Sequence, residues 1–309
     1  DRLQEEGYVH LSCGDSCGVG SAKKVMEGTG MDQMLEDYGV AIVDFNEGST
    51  VSYPQGHTAK EFFLAKPVQE TDALINLCKM KTHALERVTG GVKNLYGCIS
   101  GLHKAKGHTK YTNADIFARQ LIDLNQLIKP RFCVMDGIVA MDGNGPTSGD
   151  PVKMKVLLLG NDPVAIDSVY CHLVHLDPQM VPTNVHGETM GLGTWREENI
   201  RLLTDGGEIT MQEAVERFGN PDFNVDRKKQ RGNLWNRFNN GFLRYFQKKP
   251  YIEEDKCKKC GICVEACPVE GKALQFKNGR RKPPVYNYHK CIRCFCCQEM
   301  CPHKAIQVK

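Results

Sequence analysis

Eight cysteines close to the end of the chain fall into two copies of one spacing. The first copy reads Cys257-Lys-Lys-Cys260-Gly-Ile-Cys263-Val-Glu-Ala-Cys267-Pro268, and the second reads Cys291-Ile-Arg-Cys294-Phe-Cys-Cys297-Gln-Glu-Met-Cys301-Pro302. Every cysteine of the second copy lies the same distance along the chain from its counterpart, so the segment is an internal duplication. Three close thiolates followed by a Cys-Pro pair are typical of a 4Fe–4S site. The spacing therefore predicts two 4Fe–4S clusters and single-electron chemistry.

The duplication also predicts which thiolate binds which cluster, because the last cysteine of each copy ligates the neighbouring cluster. The expected ligand sets are Cys257, Cys260, Cys263 and Cys301 for one cluster, and Cys291, Cys294, Cys297 and Cys267 for the other. Zinc also binds four thiolates, but its sites usually consist of two separated cysteine pairs. Cys296 exceeds the ligand count and is expected to pack beside a cluster. Residues 251–309 resemble the two-cluster bacterial ferredoxins, which implies a small ferredoxin-like α+β domain.

Composition argues against several classes of protein. The 309 residues are 41% hydrophobic and 25% charged, as in soluble globular proteins. The formal net charge of +3 is too small to indicate a nucleic-acid partner, and no apolar run approaches the ~20 residues of a transmembrane segment. Fifteen cysteines, the dense part of which has metal-ligand spacing, indicate thiols that are kept reduced, so we expect a cytoplasmic location. The chain lacks an initial Met and its first residues lead directly into an apolar run, so we expect a further N-terminal part.

The first two-thirds of the chain alternate short apolar runs with helical patterns. Compact apolar runs typical of buried strands occupy 9–13, 40–45, 73–78, 132–135 and 156–159. Helical patterns occupy 21–26, 115–127, 163–176 and 211–218. Asp162 followed by Pro163 is a good helix start, and Thr210 is the expected cap of the last helix. This alternation predicts an α/β domain over residues 1–222, with a mostly parallel sheet and helices on both faces.

Residues 223–250 form a basic, aromatic segment between the two predicted domains. The stretch from Arg227 to Lys249 contains many Lys and Arg and no acid, with apolar residues at roughly helical spacing. Three interpretations stay open: a helix that docks the two domains, an interfacial membrane anchor, and a nucleic-acid patch. The docking helix is favoured, because an amphipathic stripe is more often packed than inserted. Pro250 then marks the start of the last domain.

Polar residues cluster where the predicted strands end. In an open α/β sheet, ligands bind beyond the carboxyl ends of the strands. The candidate catalytic residues at these ends are Lys81, His83, Lys93, Asn94, Asp136 and Asn144. The lysines, the histidine and Asn94 offer positive charge and hydrogen bonds to a small anionic or carbonyl ligand. Asp136 and Asn144 could bind a cation or act in acid–base chemistry, although an aspartate at such a position can also simply cap a turn.

Several short motifs in this region resemble domain-of-unknown-function family 362, many of whose members carry a C-terminal ferredoxin module. The resemblance covers about residues 8–190 and rests on Gly14-Asp15-Ser16, Lys81-Thr82-His83, Lys93-Asn94-Leu95-Tyr96-Gly97, Asp136-Gly137-Ile138, Gly143-Asn144-Gly145-Pro146 and Asp162-Pro163-Val164-Ala165-Ile166-Asp167. Members of the family usually have a further N-terminal segment, and they often have Pro where Cys17 stands. The family name implies no particular reaction.

These observations favour an iron–sulfur oxidoreductase. An external donor or acceptor protein would exchange electrons with the ferredoxin module, which would pass them to a substrate or cofactor in the α/β domain. A second hypothesis is a non-enzymatic electron carrier or assembly factor whose α/β domain binds a protein. A third is a metal- or anion-dependent enzyme in which the clusters are regulatory or structural. A dinucleotide site after Gly18-Val-Gly20 is disfavoured, because Lys23 occupies the third glycine position of that fingerprint.

Overall fold

The computed structural model describes residues 1–16, 22–100, 102–111, 113–228, 248–277 and 279–309. The strands are β1 (Ser12–Asp15), β2 (Ala41–Asp44), β3 (Gly48–Ser52), β4 (Glu61–Ala65), β5 (Ile75–His83), β6 (Arg87–Thr89), β7 (Phe132–Asp142), β8 (Asp150–Val152), β9 (Val156–Gly160), β10 (Leu202–Thr204), β11 (Gly207–Ile209), β12 (Pro250–Ile252), β13 (Leu274–Gln275), β14 (Val285–Tyr286) and β15 (Ile306–Val308). The α-helices are α1 (Arg2–Glu5), α2 (Ala22–Thr29), α3 (Met31–Asp37), α4 (Lys66–Glu70), α5 (Gly91–Asn94), α6 (Leu102–Lys110), α7 (Ala114–Ile128), α8 (Pro163–Leu173), α9 (Pro182–Thr189), α10 (Met211–Phe218), α11 (Ile262–Glu265) and α12 (Cys296–Glu299). Short 3-10 turns span Leu95–Cys98, Pro178–Met180 and Glu197–Asn199.

A five-stranded sheet centres on the parallel pair β5 and β7. The strands run in the order β6-β5-β7-β8, and β9 also pairs with β7. The β5–β7 pairing aligns Ile75 with Phe132 and Lys79 with Asp136 before the register shifts. Strands far apart in sequence pair in parallel here and in β1–β2, whereas β6, β8 and β9 join as local antiparallel neighbours. The predicted α/β class, with a parallel pair at the centre of the sheet, is confirmed.

Side chains of β5 alternate between a buried and an exposed face, as expected for a strand with one covered face. Cys78 and Met80 pack with Ile166 and Tyr170 of α8 in one hydrophobic core. The opposite face carries Leu77, Leu157 and Leu159, whose exposures are 61%, 50% and 59%. Within the described residues, helices therefore cover this part of the sheet on one face, whereas the sequence predicted helices on both faces; its exposed leucines leave the other face open here.

A second core surrounds helix α7, where Phe117, Leu121 and Leu124 are fully buried. The helix begins after Asn113, whose side chain accepts a hydrogen bond from the Ile116 amide at 2.8 Å. It ends at Lys129 in a left-handed conformation. This N-terminal cap and the apolar stripe of the helix together fix its packing against the sheet domain.

The local helix signals in the sequence are confirmed at residue level. Asp162 accepts hydrogen bonds from the amides of Val164 and Ala165, and Pro163 occupies the first turn of α8. Thr210 and Glu213 form a reciprocal capping box at the start of α10. Both helices were predicted because a cap and a following apolar pattern lie within a few residues of each other.

The C-terminal part is a small α+β unit, as the resemblance to ferredoxins implies. Strand β12 pairs with β15, and β13 pairs with β14, all antiparallel. Its core contains Leu274 and Ile306, which follow the two ligand motifs at corresponding places of the duplication.

The start of the predicted basic segment packs with the α/β part. Phe223 is fully buried against Tyr170, and Val225 lies in the same core. The rest of the predicted docking helix, residues 229–247, lies outside the described residues, as do Cys17 and Gly18-Val-Gly20. In the part of the chain that the structure describes, no helix is long and apolar enough to cross a membrane.

Candidate functional site

The first set of thiols surrounds one cavity of the ferredoxin part. Cys257, Cys260, Cys263 and Cys301 all line it. Burial, and then the neighbouring thiols of Cys301, Cys260 and Cys257, raise the pKa of Cys263 to about 12. The structure thus brings the fourth cysteine of the second copy beside the first three cysteines of the first copy.

The second set of thiols combines the fourth cysteine of the first copy with the first three cysteines of the second copy. Cys267 packs with Cys291 in one small apolar cluster. Burial raises the pKa of Cys291, and the thiols of Cys294 and Cys267 act in the same direction. Cys297 is 3.2 Å from the hydroxyl of Tyr286. Cys296, the surplus cysteine, is buried beside Cys294 and shares a hydrogen bond with it.

Both thiol sets have the donor chemistry of a 4Fe–4S site. Each set combines three thiols of one loop with one thiol of the other, and backbone amides already point at the exchanged sulfurs. The amide of Ala273 donates to Cys267 Sγ at 3.3 Å, and the amide of Ala305 donates to Cys301 Sγ at 3.4 Å. Such amide hydrogen bonds tune a bound cluster. Within the described ranges, no three His, Cys, Asp or Glu side chains converge on a single ion; a 4Fe–4S cluster instead takes each thiolate on a different iron.

The second ligand helix docks on the loop 143–149 of the α/β part. Gln298 Nε2 donates to Asn144 O at 2.9 Å, Asn144 Oδ1 at 3.1 Å and Gly145 O at 3.1 Å. Asn144 Nδ2 donates in turn to Ile306 O at 2.9 Å. Thr147 Oγ1 donates to Glu299 O at 2.7 Å. The loop approaches β5 so closely that a Cβ at Gly145 would lie 2.3 Å from Thr82 O.

This docking places the carboxylate of Glu299 beside His83. Oε1 of Glu299 is buried and lies 3.0 Å from Nε2 of His83, although the two atoms are not aligned as a full hydrogen bond. Nδ1 of His83 accepts hydrogen bonds from the amides of Leu85 and Glu86 at 3.0 and 3.1 Å. Nδ1 is therefore the acceptor, and the proton of the neutral ring sits on Nε2, which faces Glu299.

Lys93 is the charge that links the buried polar groups at this interface. Its ammonium lies 6.0 Å from the ring centroid of Tyr96 and 5.9 Å from that of Phe117. Helix α5, which carries Lys93, is fixed from its start, because Asp167 accepts the amides of Gly91 and Val92 at 2.6 and 3.1 Å. We call His83, Glu86, Lys93, His108 and Glu299 the interface cluster.

Burial is the largest cause acting on the pKa values in the interface cluster, and nearby charges add to it or oppose it. Burial, followed by Lys93, lowers the pKa of His83 to about 4. Burial lowers the pKa of His108 to about 4, and the charges of Lys93 and Lys104 act in the same direction against that of Glu299. Burial raises the pKa of Glu86 to about 8, although Lys93 opposes it. Burial also works to raise the pKa of Glu299, but contact with His83 and the charge of Lys93 hold that pKa below its usual range.

Several polar atoms of this region lack a hydrogen-bond partner within the described residues. They are His83 Nε2, both carboxylate oxygens of Glu86, His108 Nδ1, Gln120 Nε2 and Glu299 Oε1. Buried polar atoms are satisfied in most proteins, so a group of them in one place indicates a position for water or a small polar ligand. The side chain of Glu299 as a whole is 20% exposed, although its Oε1, which faces His83, is buried.

The structure brings together three of the six predicted site residues. His83 and Lys93 belong to the interface cluster, and burial together with Lys93 lowers the pKa of nearby Lys81. Asn144 instead contacts the ferredoxin part directly. Asn94 donates to Asn76 Oδ1 and Leu77 O, which supports the sheet. Asp136 forms an ion pair of 2.5 Å with Lys79 on the exposed strands.

Sequence reasoning did not predict Glu86 or Glu299 as site residues. Glu299 occupies the position that Glu265 occupies in the first copy, so the motif alone does not distinguish them. A difference between the copies does carry a signal: Gln298, which is fully buried, stands where the first copy has Val264. A polar residue in that position marks the ligand helix that meets the α/β part.

Comparison with known proteins supports this architecture. The family described as "Domain of unknown function (DUF362)" matches residues 1–172, and a 4Fe-4S dicluster domain matches residues 249–302. A curated relative, the "Thylakoid-associated protein sll1697" of Synechocystis sp., is 36% identical over 211 residues. That alignment spans 68% of this chain and 65% of the relative, which is just under two-thirds of its length. The chain belongs to the DUF362 family and ends in a 4Fe–4S domain.

Proposed function

We propose that this protein is an iron–sulfur oxidoreductase that delivers electrons to a small anionic or carbonyl ligand at the interface cluster. The observation that carries the proposal is the contact between Glu299 and His83. Glu299 lies between two predicted cluster ligands, Cys297 and Cys301, and reaches directly into the polar cluster of the α/β part. Electron carrier and candidate ligand site are therefore neighbours within one chain.

The predicted ligand sets and segments become part of this proposal. One cluster would be held by Cys257, Cys260, Cys263 and Cys301, and the other by Cys291, Cys294, Cys297 and Cys267. Bound 4Fe–4S clusters supply single electrons at potentials set by their surroundings. The segments are an α/β domain over 1–222, a linker within 223–250 and a ferredoxin domain over 251–309, with Phe223 and Val225 packed on the α/β side. We also propose a cytoplasmic location.

The residues of the interface cluster have chemistry suited to such a ligand. Lys93, together with Lys81 beside the cluster, would bind the negative charge of an anion or polarise a carbonyl oxygen. Neutral His83 presents Nε2–H to the same place, because its other nitrogen accepts two backbone amides. Glu86 holds a proton at neutral pH, since its pKa is raised to about 8, and a reduced oxygen needs a proton as well as electrons.

The duplication provides a matched control for the test. In Glu299→Gln the charge beside His83 is lost, whereas Glu265→Gln makes the same change at the exposed equivalent position. The fully reconstituted protein would be reduced anaerobically, and reoxidation would be followed by visible absorbance with a panel of small carboxylates and carbonyl compounds. We expect at least one compound to reoxidise the protein, with a rate changed roughly tenfold or more by Glu299→Gln and left unchanged by Glu265→Gln.

His83→Ala should abolish the ligand-dependent reoxidation while the absorbance of the clusters stays intact. If no compound in the panel reoxidises or binds the protein, or if both glutamate variants behave alike, the proposal is wrong. Binding would be measured separately from the ligand-dependent change in melting temperature.

A second candidate function is a non-enzymatic electron carrier or assembly factor. One observation favours it: the carboxylate of Glu299 already occupies the place beside His83 that an anionic ligand would take. On this alternative the interface cluster only joins the two parts of the chain. Electron transfer to a protein partner would then survive Lys81→Ala and His83→Ala, and a pull-down would recover that partner in stoichiometric amount.

A further inference from the structure

A groove on the ferredoxin part is lined by basic side chains. Its basic residues are Lys249, Lys272, Lys277, His289, Lys290 and Arg293. Among the described residues that line it, none is Asp or Glu. The whole chain has a formal net charge of only +3, so this concentration of positive charge is local.

The groove lies over the second thiol set. Tyr286 lines it and contacts Cys297 Sγ at 3.2 Å, and Ala273 lines it and donates its amide to Cys267 Sγ at 3.3 Å. Lys290 directly precedes Cys291, and Arg293 directly precedes Cys294. Each of the four thiols is therefore adjacent to, or in contact with, a residue of the groove wall.

The surface of the groove is separate from the surface that docks on the α/β part. The docking contacts come from Gln298, Glu299, Lys304 and Ile306, none of which lines the groove. Lys277 and Lys290 are exposed. Among the described residues, the contacts that dock the ferredoxin part on the α/β part therefore leave the groove uncovered.

Two of the basic residues are held in place by the ferredoxin part itself. Lys272 Nζ donates to Cys267 O at 2.6 Å and Glu265 O at 3.0 Å. Lys249 lies 5.2 Å above the ring of Tyr288. A pre-ordered basic wall loses little conformational entropy when a negatively charged surface binds to it.

We propose that the basic groove docks an acidic one-electron donor protein and that its electron enters at the second thiol set. One electron leaves the donor, which is oxidised by one unit, and the site of Cys291, Cys294, Cys297 and Cys267 is reduced by one; no bond or proton is exchanged. Complementary charge steers such encounters and fixes their orientation. The inference rests on the proposed electron-transfer function and names the partner class of its donor side.

An acidic protein fits this groove better than a nucleic acid or an anionic membrane does. The groove is concave and combines its cations with the aromatic walls of Tyr286 and Tyr288. It also lies directly over the cluster ligands. A short distance to these ligands favours electron transfer from a donor protein, whereas it offers no advantage to a nucleic acid or a lipid surface.

The test uses the reconstituted full chain and a reduced acidic plant-type ferredoxin as the probe. The groove variant is Lys277→Glu with Lys290→Glu. The control is Lys66→Glu with Lys153→Glu, which makes the same charge change on exposed lysines of the α/β part. The dissociation constant would be measured at ionic strengths of ~0.01 M and ~1 M, where the Debye length falls from ~30 Å to ~3 Å.

We expect the groove variant to bind the probe roughly tenfold or more weakly at low salt and the control variant to bind within about twofold of the parent. High salt should weaken parent binding and remove the difference between the variants. Reduction by a small chemical reductant, and any ligand-dependent reoxidation, should be unchanged in the groove variant. This separates a failure of docking from a failure of the proposed reaction.

Equal loss of binding in both variants, or no loss in the groove variant, would overturn the proposal. So would tighter groove-dependent binding of a single-stranded DNA oligonucleotide or of vesicles rich in phosphatidylglycerol than of the ferredoxin probe.

Discussion

Glu86 is a buried carboxyl group, and its burial makes the stability of the α/β part depend on pH. Both of its oxygens lack a hydrogen-bond partner within the described residues, and burial raises its pKa from 4.5 to about 8. In the unfolded chain the group ionises near pH 4.5, whereas in the folded chain it keeps its proton to about pH 8. The unfolded state therefore releases this proton first, and stability falls as pH rises across that window.

The variant Glu86→Gln tests this pH dependence. Between pH 4.5 and 8 the parent should lose about 5 kcal/mol of its free energy of unfolding, which is the order of magnitude that corresponds to this pKa difference. The free energy of unfolding of Glu86→Gln should not contain this pH-dependent contribution. The variant should therefore become more stable relative to the parent as pH rises. Urea unfolding at several pH values measures this. Glu36 is exposed, so the free energy of unfolding of Glu36→Gln should depend on pH as that of the parent does. If Glu86→Gln shows the same pH dependence as the parent, this explanation is wrong.

At the scale of single residues, the sequence predicted positions whose chemistry is repeated or locally patterned. The cysteine spacing indicated both thiol sets, and the motif around Lys81 and His83 indicated two polar groups that the structure places together. Glu86 and Glu299 could not be predicted, because their environment is created by tertiary contacts. A glutamate is normally exposed, and only the fold shows that these two face Lys93.

Helix α8 packs in the core of the sheet and also holds the start of α5, so its N-terminal cap affects more than one secondary-structure element. Asp162 accepts the amides of Val164 at 2.8 Å, Ala165 at 2.9 Å and Thr194 at 2.9 Å. The last of these hydrogen bonds connects the cap to a loop 32 residues further along the chain. Asp167, further along the same helix, holds the amides of α5. Loss of the cap should therefore affect more than the helix itself.

We expect Asp162→Ala to lower the free energy of unfolding by about 2 kcal/mol, at the upper end for a helix cap, because three amides lose their acceptor. Asp162→Asn should restore part of this, since its side-chain oxygen can still accept. Thermal melts of both variants provide the measurement. Asp177→Ala, which removes one exposed amide contact at a 3-10 turn, is the matched control. A loss no larger than that of Asp177→Ala would show that the cap is unimportant.

Elements with strong local signals were predicted well, and elements shaped by distant partners were not. Helix α10 has the predicted limits, because its cap and stripe lie within one segment. Strand β7 was predicted over 132–135 but continues to Asp142. The Asp136-Gly137 pair by itself is typical of a turn. In the structure β7 continues through it, because β7 pairs with β9 and then with β8.

At the scale of the whole molecule, the sequence indicated two kinds of domain but not how they meet. The meeting point is set by the complementarity of the loop 143–149 and helix α12, which are far apart in sequence. One side chain, Gln298, makes three of the contacts, to Asn144 and Gly145. Gln298 is 0% exposed, so its amide cannot exchange these hydrogen bonds for bonds to solvent water.

Gln298→Val places in the second copy the residue that the first copy has at the matched position, Val264. A valine fits the ligand helix, because the first copy folds with it, but it leaves the carbonyls of Asn144 and Gly145 without their donor. Unsatisfied buried carbonyls cost about 1–3 kcal/mol each. We therefore expect the two parts to separate while both stay folded and the thiol sets keep their clusters.

Separation would appear as faster hydrogen exchange in the loop 143–149 and in α12, together with a larger radius of gyration in solution scattering. Cluster absorbance should stay at the parent value, since no thiol is altered. Gln275→Val changes an exposed glutamine of the same domain and should leave both readouts unchanged. If Gln298→Val also leaves exchange and size unchanged, the contact of Glu299 with His83 must be held by other groups. Electron delivery across this interface would then have to be independent of Gln298.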